Sequence, residues 1–417
     1  MIKKSFIFFL AFMLMLSCST QSICEANTYG SVLDPKDKGL AKWGYIDANG
    51  QIMLYPSFDH ARPFCSDRAR VFLGKVDSMG YPDEGHFGYI DREGKIVIPV
   101  SFDQAGDFSK FGFAVVKKDG KCWIINTDGK SVLKDTYTYI AYSEPNNLYL
   151  AYNEDTSKTE HSERMKYFII DSKGNITALI CESATMEEGC ITDCAYSHDY
   201  ACALFDLSGR QITGYIYEDL KNFSEGVGRY KREGKYGLIT TKGEELTSPI
   251  YDNVGFVHNG KVVVQYDGKY CLIDIKGKFL AEYGVDEIRL YDSLKYNVMC
   301  AFVGNKNNMF DQNNRYYLMN SEGDYLSRAY KHTVVMPKDG VYYVLEDGVH
   351  YILNQIGNET PLPIDCKDIK VYNQDRFLVY RDRMYALVDL QGNMLTDYVW
   401  SDVILSDEDD EWICVCY

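Results

Sequence analysis

The sequence predicts an all-β protein: tandem antiparallel β-meander repeats, about ten units, arranged in a propeller-like ring. An open superhelical β-repeat array is the alternative. Three observations carry this expectation. First, one short pattern recurs down the chain: an aromatic, a small residue, two apolar residues, Asp or Asn, two spacers and Gly. Its copies are anchored at Gly50, Gly94, Gly129, Gly174, Gly209, Gly243, Gly277, Gly323, Gly357 and Gly392, at spacings of 44, 35, 45, 35, 34, 34, 46, 34 and 35 residues. Self-similarity at such a period marks a repeat architecture. Second, the apolar residues follow strand alternation and no helical period competes with it. Third, the array opens on one kind of strand and ends on another, so its two ends are each other's missing hairpin partner.

In chain order, residues 1–17 read as a lipoprotein signal peptide. Lys3 and Lys4 form a basic start, and the apolar run after them is too short to span a bilayer. Met15-Leu16-Ser17-Cys18 resembles the lipobox of bacterial lipoproteins. That resemblance implies cleavage before Cys18, lipidation of its thiol and anchoring to a membrane face. Plain secretory cleavage after Ala26 is the alternative. Residues 18–41 read as a polar tether and residues 42–417 as the repeat array.

The second repeat is the clearest. Phe87-Gly88-Tyr89-Ile90-Asp91 alternates as a strand, Asp91-Arg92-Glu93-Gly94 is turn chemistry, and Ile96-Val97-Ile98 returns before Pro99. Asp accepts backbone N–H bonds in such a turn and Gly supplies the positive φ that closes it. The Ile90 position is apolar in every copy: Ile46, Ile90, Ile125, Ile170, Phe205, Ile239, Ile273, Met319, Leu353 and Val388. A linker with Phe102-Asp103 follows, then a third strand near Phe113. Asp119-Gly120 turns that strand directly into the next copy of the motif, as do Glu233-Gly234, Asp267-Gly268 and Asp347-Gly348. Each unit is thus expected to hold three strands and a short fourth at the Phe-Asp element.

Trp43-Gly44-Tyr45-Ile46-Asp47, the Phe-Asp element and the stretch Phe108–Ala114 together resemble the WG-repeat family of bacterial proteins. The likeness covers nearly everything from Lys42 onward and is degenerate in repeats 3, 4, 8 and 9. It implies secreted or lipid-anchored repeat proteins and carries over no catalytic residue.

Composition narrows function by exclusion. A formal charge of −16, reaching −18 once Lys3 and Lys4 are lost, repels nucleic acid and anionic lipid. The 35 tyrosines fit strand packing. Thirteen cysteines in an exported chain invite disulfides. Yet Cys122 and Cys202 fall at the motif's aromatic position, Cys271 at its small position, and Cys300 and Cys414 in third strands, so core packing is expected of them. Cys190 and Cys194 on one strand stand about 13 Å apart, beyond bridging reach.

No catalytic, cofactor-binding or metal site is expected. Asp47, Asp91, Asp171, Asp206, Asp274 and Asp389 are turn residues, and Asp59, Asp103 and Asp252 are expected to cap a linker turn. The acidic run at 407–411 lacks the alternation of a calcium loop. Trp43, Phe87, Tyr167, Tyr236, Tyr270, Tyr316 and Tyr385 recur with the repeat and are expected to pack between units. Three inserts of about ten residues, at 76–86, 153–165 and 303–315, all fall between a third strand and the next first strand. Inserts at equivalent points decorate one rim. Asp77-Ser78-Met79 and Asp292-Ser293-Leu294 resemble short bacterial O-glycan acceptor sites.

The expectation is a non-enzymatic scaffold, anchored through Cys18 in the outer membrane and facing the periplasm, with one rim binding a protein or envelope partner. Carbohydrate binding through exposed aromatics is the alternative.

Overall fold

The computed structural model describes residues 41–158, 165–288, 298–304, 311, 313–331, 335–338, 340–354, 356–373, 375–405 and 412–417. Cys18, the signal segment, the tether, the acidic run at 407–411, Asp292-Ser293-Leu294 and parts of two inserts lie outside them.

Among the described residues, ten small antiparallel sheets follow one another along the chain. Sheet 2 shows the complete plan: His60–Cys65, Arg68–Val76, Pro82–Ile90 and Ile96–Phe102, each hydrogen-bonded to the next. Sheets 4, 7 and 9 also have four strands in sequence order, while sheets 3, 5, 6, 8 and 10 have three. In those five the fourth strand shrinks to isolated bridges such as Ile125 with Ser131 and Cys122 with Tyr137.

The unit boundary differs from the expected one. The linker after Phe-Asp does not add a fourth strand to the sheet behind it. It forms the first strand of the sheet ahead, as His60–Cys65 does after Phe58-Asp59. The expected third strand and the following motif strand are therefore the second and third strands of one sheet. Local pattern finds hairpins, but it cannot say which hairpins share a sheet.

Sheet 1 is assembled from both ends of the chain. Asp402–Ile404 and Trp412–Cys416 supply its first two strands, and Trp43–Asp47 and Ile52–Phe58 its last two. Trp43 to Asp47 pairs in unbroken antiparallel register with Cys416 to Trp412. The expected partnership of the chain ends is thus present, and it removes two free sheet edges.

Packing between sheets is cyclic as well. The buried side chains form ten clusters, and each spans one pair of consecutive sheets. One cluster joins Ile46, Ile413 and Val415 of sheet 1 to Leu378 and Leu387 of sheet 10. Another joins Trp43 and Tyr45 to Ala61, Phe64 and Val71 of sheet 2. The ten residues of the Ile90 series sit at the centre of these seams, none more than 3% exposed. Buried hydroxyls add polar ties across seams: Tyr45 donates to the Arg62 carbonyl at 2.8 Å and Tyr89 to that of Gly106 at 2.7 Å.

The motif turn explains its own residues. Asp47 Oδ1 accepts the N–H groups of Asn49 and Gln51, and Gly50 has φ of +82°. The same pair of bonds recurs at Asp91, Asn126, Asp171, Asp206, Thr240, Asp274, Asn354 and Asp389. Each motif glycine also faces the return segment of the preceding sheet: Gly94 faces Leu54, Gly129 faces Ile98, and Gly50 faces Thr396 of sheet 10.

Candidate functional site

The direction of the strands sorts every connection onto one of two rims. Turns between first and second strands share one rim with the motif turns. Turns between second and third strands share the other with the crossovers to the next sheet. The first insert and the described ends of the other two lie on this second rim, as expected from their equivalent placement.

The rim has a repeated polar frame. Asp59 Oδ2 accepts Gly74 N–H, Asp103 Oδ2 accepts Asp119 N–H, and Asp252 Oδ2 accepts Gly268 N–H. Glu218 and Asp286 hold the amides of Gly234 and Gly304 in the same way. Asp59, Asp103 and Asp252 were expected to cap a linker turn. They instead hold amides of the sheet ahead, Asp103 and Asp252 at its tight hairpin and Asp59 at Gly74 within Arg68–Val76, because the linker starts that sheet. Lys235 pairs with Asp252, and this bond, with the Gly268 amide, holds the Asp252 carboxyl below the ordinary range.

Two structures rise from this frame. The first insert is a continuation of sheet 2, since Arg68–Val76 and Pro82–Ile90 stay paired as far as Lys75 with Glu84. Its tip, Asp77-Ser78-Met79-Gly80, repeats the motif turn: Asp77 Oδ1 accepts the N–H groups of Met79 and Tyr81. Met79 is 66% exposed and Tyr81 49%. Gly74 and Gly85 face each other at the base, where a Cβ on either would run into the opposite main chain.

The second structure was missed from sequence. Between Cys190–Cys194 and Cys202–Phe205 of sheet 5 lies a loop with a 3-10 turn at Tyr196–His198. A disulfide between Cys194 and Cys202 closes it. Cys202 packs in the core at the motif's aromatic position, as expected, but it is not a free thiol, because the residue opposite it across the ladder is another cysteine. The pair was legible as two cysteines flanking a segment without the usual Asp-Gly turn. The ordinary 35-residue spacing of that repeat hid the insertion.

Around this loop, Asp193 is fully buried and accepts from Ser183 N–H at 2.6 Å, Glu182 N–H at 3.1 Å and Tyr215 O–H at 2.5 Å. Burial, then the Asp193 carboxylate, push the Tyr215 phenol far above its ordinary range. His198 stacks on Tyr215 with ring centroids 4.1 Å apart. Ser197 bonds both Glu182 and His198 Nδ1. At the edge of this cluster Tyr200 is 52% and Ile216 55% exposed.

Beside it, Tyr139, Tyr152 and Tyr167 form a row across sheet 4 at the same rim, in directly opposed pairs. The first two stack at 5.2 Å. Tyr167 is buried, whereas Tyr139 is 37% exposed. The other ring positions of the Trp43 series are buried or half-buried, as the packing expectation had it.

Among the described residues no group of three or more His, Cys, Asp or Glu is placed to hold a metal ion. Burial pushes the thiols of Cys122, Cys181, Cys190, Cys271, Cys366, Cys414 and Cys416 up, away from thiolate character.

The class of protein that these features define is a cyclic array of small antiparallel sheets with a loop-bearing rim. Four segments, residues 43–75, 87–122, 204–236 and 236–270, match the family described as WG containing repeat. They include the units read as clearest from sequence. No curated protein matches the chain in sequence. Among solved structures it is similar to a eukaryotic initiation factor, at 10% identity and TM-score 0.46, covering 79% of this chain and 95% of that one. It is also similar to BamB from Moraxella catarrhalis, at 11% identity and TM-score 0.30, covering 90% and 98%. Apo AztD from Citrobacter koseri is similar at 12% identity and TM-score 0.35, covering 77% and 94%.

Proposed function

We propose that this chain is a non-enzymatic binding scaffold, exported, tethered through lipidated Cys18, and engaging a protein of the cell envelope through the insert-bearing rim. The observation that carries the reading is the pairing of rigidity with exposed apolar tips. Met79 and Tyr81 project on a hydrogen-bonded hairpin, and Tyr200 stands on a disulfide-closed loop with Ile216 at the edge of the same cluster. Such preorganised apolar side chains cost little ordering entropy on binding. An outer-membrane position facing the periplasm fits the absence of acidic residues in Ser19-Thr20-Gln21-Ser22.

The test is quantitative copurification from detergent-solubilised envelopes, comparing three forms of the chain. The variant Met79→Ser/Tyr81→Ser/Tyr200→Ser is expected to lose a partner that the unaltered chain retains. Phe111→Ser, altered on the opposite rim, is expected to keep it. Equal recovery with all three forms refutes the rim assignment. Cys18→Ala is expected to release the chain from membranes, and retention there refutes the anchor.

The half-exposed Tyr139 at the end of a tyrosine row favours a second reading, stacking on a sugar ring. Micromolar binding on a glycan array, abolished by Tyr139→Ala, would select it over the protein-partner reading.

A further inference from the structure

Ten sheets arranged in a cycle leave ten outward edges, and an unprotected edge is a template for another strand. The five regular fourth strands can be compared directly. Ile52–Phe58 in sheet 1 and Ile96–Phe102 in sheet 2 carry Pro56 and Pro99, and both are bulged against the strand behind them. Phe279–Tyr283 in sheet 7 is bulged and carries Glu282, paired with Lys269. Glu359–Leu362 in sheet 9 carries Pro361, and its Glu359 is held by Arg328.

Ile176–Leu179 in sheet 4 has none of these devices. It holds no proline, charge or glycine, and its ladder to Tyr167–Ile170 is regular throughout. The regularity has a cause in sequence. Where the motif keeps Gly44 or Gly88, a Cβ would come within 2.6–2.8 Å of the return strand's backbone, so that strand crosses close over the glycine and bulges. In sheet 4 this position is Phe168, which forces the return strand into ordinary pairing. Among the described residues no strand pairs with the outer side of this one, and Gly209 of sheet 5 seats on its buried Leu179. Ile176 is 41% exposed, Thr177 and Ala178 are exposed, and Ile180 just beyond is 91% exposed.

We infer that this edge is a self-association site, where two copies of the chain pair Ile176–Leu179 antiparallel about a twofold axis at Ala178. The choice of a second copy as occupant rests on the sequence of the strand. Ile176-Thr177-Ala178-Leu179-Ile180 reads nearly alike in both directions, so a twofold contact, in which one patch meets itself, sets an isoleucine opposite an isoleucine at both ends. On that axis Ile176 of each copy faces Ile180 of the other, and Thr177 faces Leu179. The two sheets then join into one of eight strands. With about five residues per copy the contact is small, so the dimer forms at high micromolar concentration rather than obligatorily. This site is separate from the rim proposed above and stands or falls independently of it.

The test uses residues 42–417, which contain every described strand and the whole cycle of packing contacts. Sedimentation equilibrium from 1 to about 500 μM is expected to show the average mass rising toward twice the monomer's. Ala178→Lys sets two like charges on the axis and is expected to stay monomeric with unchanged melting. Ala178→Cys is expected to crosslink under mild oxidation, in proportion to the dimer population. A chain that stays monomeric over the whole range overturns the proposal. So does a dimer that persists in Ala178→Lys while Ala178→Cys fails to crosslink.

Discussion

Removing residues 412–417 probes the closing seam. The cut takes away the strand Trp412–Cys416, which pairs with Trp43–Asp47 on one side and Asp402–Ile404 on the other. Ile413, Cys414 and Val415 are fully buried and Cys416 nearly so, divided between two core clusters. At about 2 kcal/mol for each aliphatic side chain and about 1 for each thiol, the loss is roughly 6 kcal/mol. That is a large part of the about 5–15 kcal/mol that holds a typical domain together. Urea unfolding measures the total, and hydrogen exchange locates it. The decisive peptide is the one holding Trp43–Asp47, which loses five residues of ladder to a strand at the far end of the sequence. Its amides are expected to lose protection in the truncated chain while those of sheets 5 to 7 keep most of theirs. In an open array these N-terminal amides owe nothing to the C-terminus. Unchanged protection at 43–47 therefore refutes the closed cycle.

Other expectations concern single residues. Gly88→Ala drives a Cβ to 2.8 Å from the Ile98 carbonyl and the Val100 backbone and should cost about 2–3 kcal/mol in chemical denaturation. Gly120→Ala, with φ of +74° but open space around it, should cost only about 1 kcal/mol, so equal costs would refute the close-crossing account. Replacing Cys194 and Cys202 together by Ser opens an eight-residue span and should destabilise the chain by about 2.5 kcal/mol, while reductant leaves the double variant unaffected. Acid should destabilise the chain. The Asn393 bond holds Asp389 low and the Lys235 bond holds Asp252 low, so their contribution is complete above the unfolded value near 4 and fades as pH falls through the lower folded values. A urea midpoint that rises below about pH 4 would contradict this.

The repeat and the turn were legible because each is written locally, and the closing strand because the phase of the repeat left it without a hairpin partner. Asp47 and Gly50 state their turn within four residues, and the Ile90 series repeats often enough to mark a buried seam. The partition into sheets was not legible. Whether His60–Cys65 belongs with the strand before it or after it depends on packing between distant side chains, such as Phe64 beside Tyr45. The Cys194–Cys202 bridge stayed hidden for a related reason: its partners are adjacent only once the two strands take their register. The rim inserts could be placed from spacing alone, since equivalent insertion points must share a side, but spacing carries no sign of Tyr200 or Ile216 standing out from it. The regular edge at Ile176–Leu179 was readable only with the bulges of its counterparts in view.

The seating of every motif glycine on the sheet behind it has one more consequence. Gly50 rests on Thr396 as Gly94 rests on Leu54, so the seam that joins the two ends of the polypeptide is built like those within it. Nothing in the packing records where synthesis began. The amide of Tyr417 donates to the carbonyl of Lys42 at 3.0 Å, so in a chain cut back to Lys42 a short linker can join these two residues. New ends opened at the exposed turn between Asn259 and Gly260 should then yield a permuted chain with the same architecture.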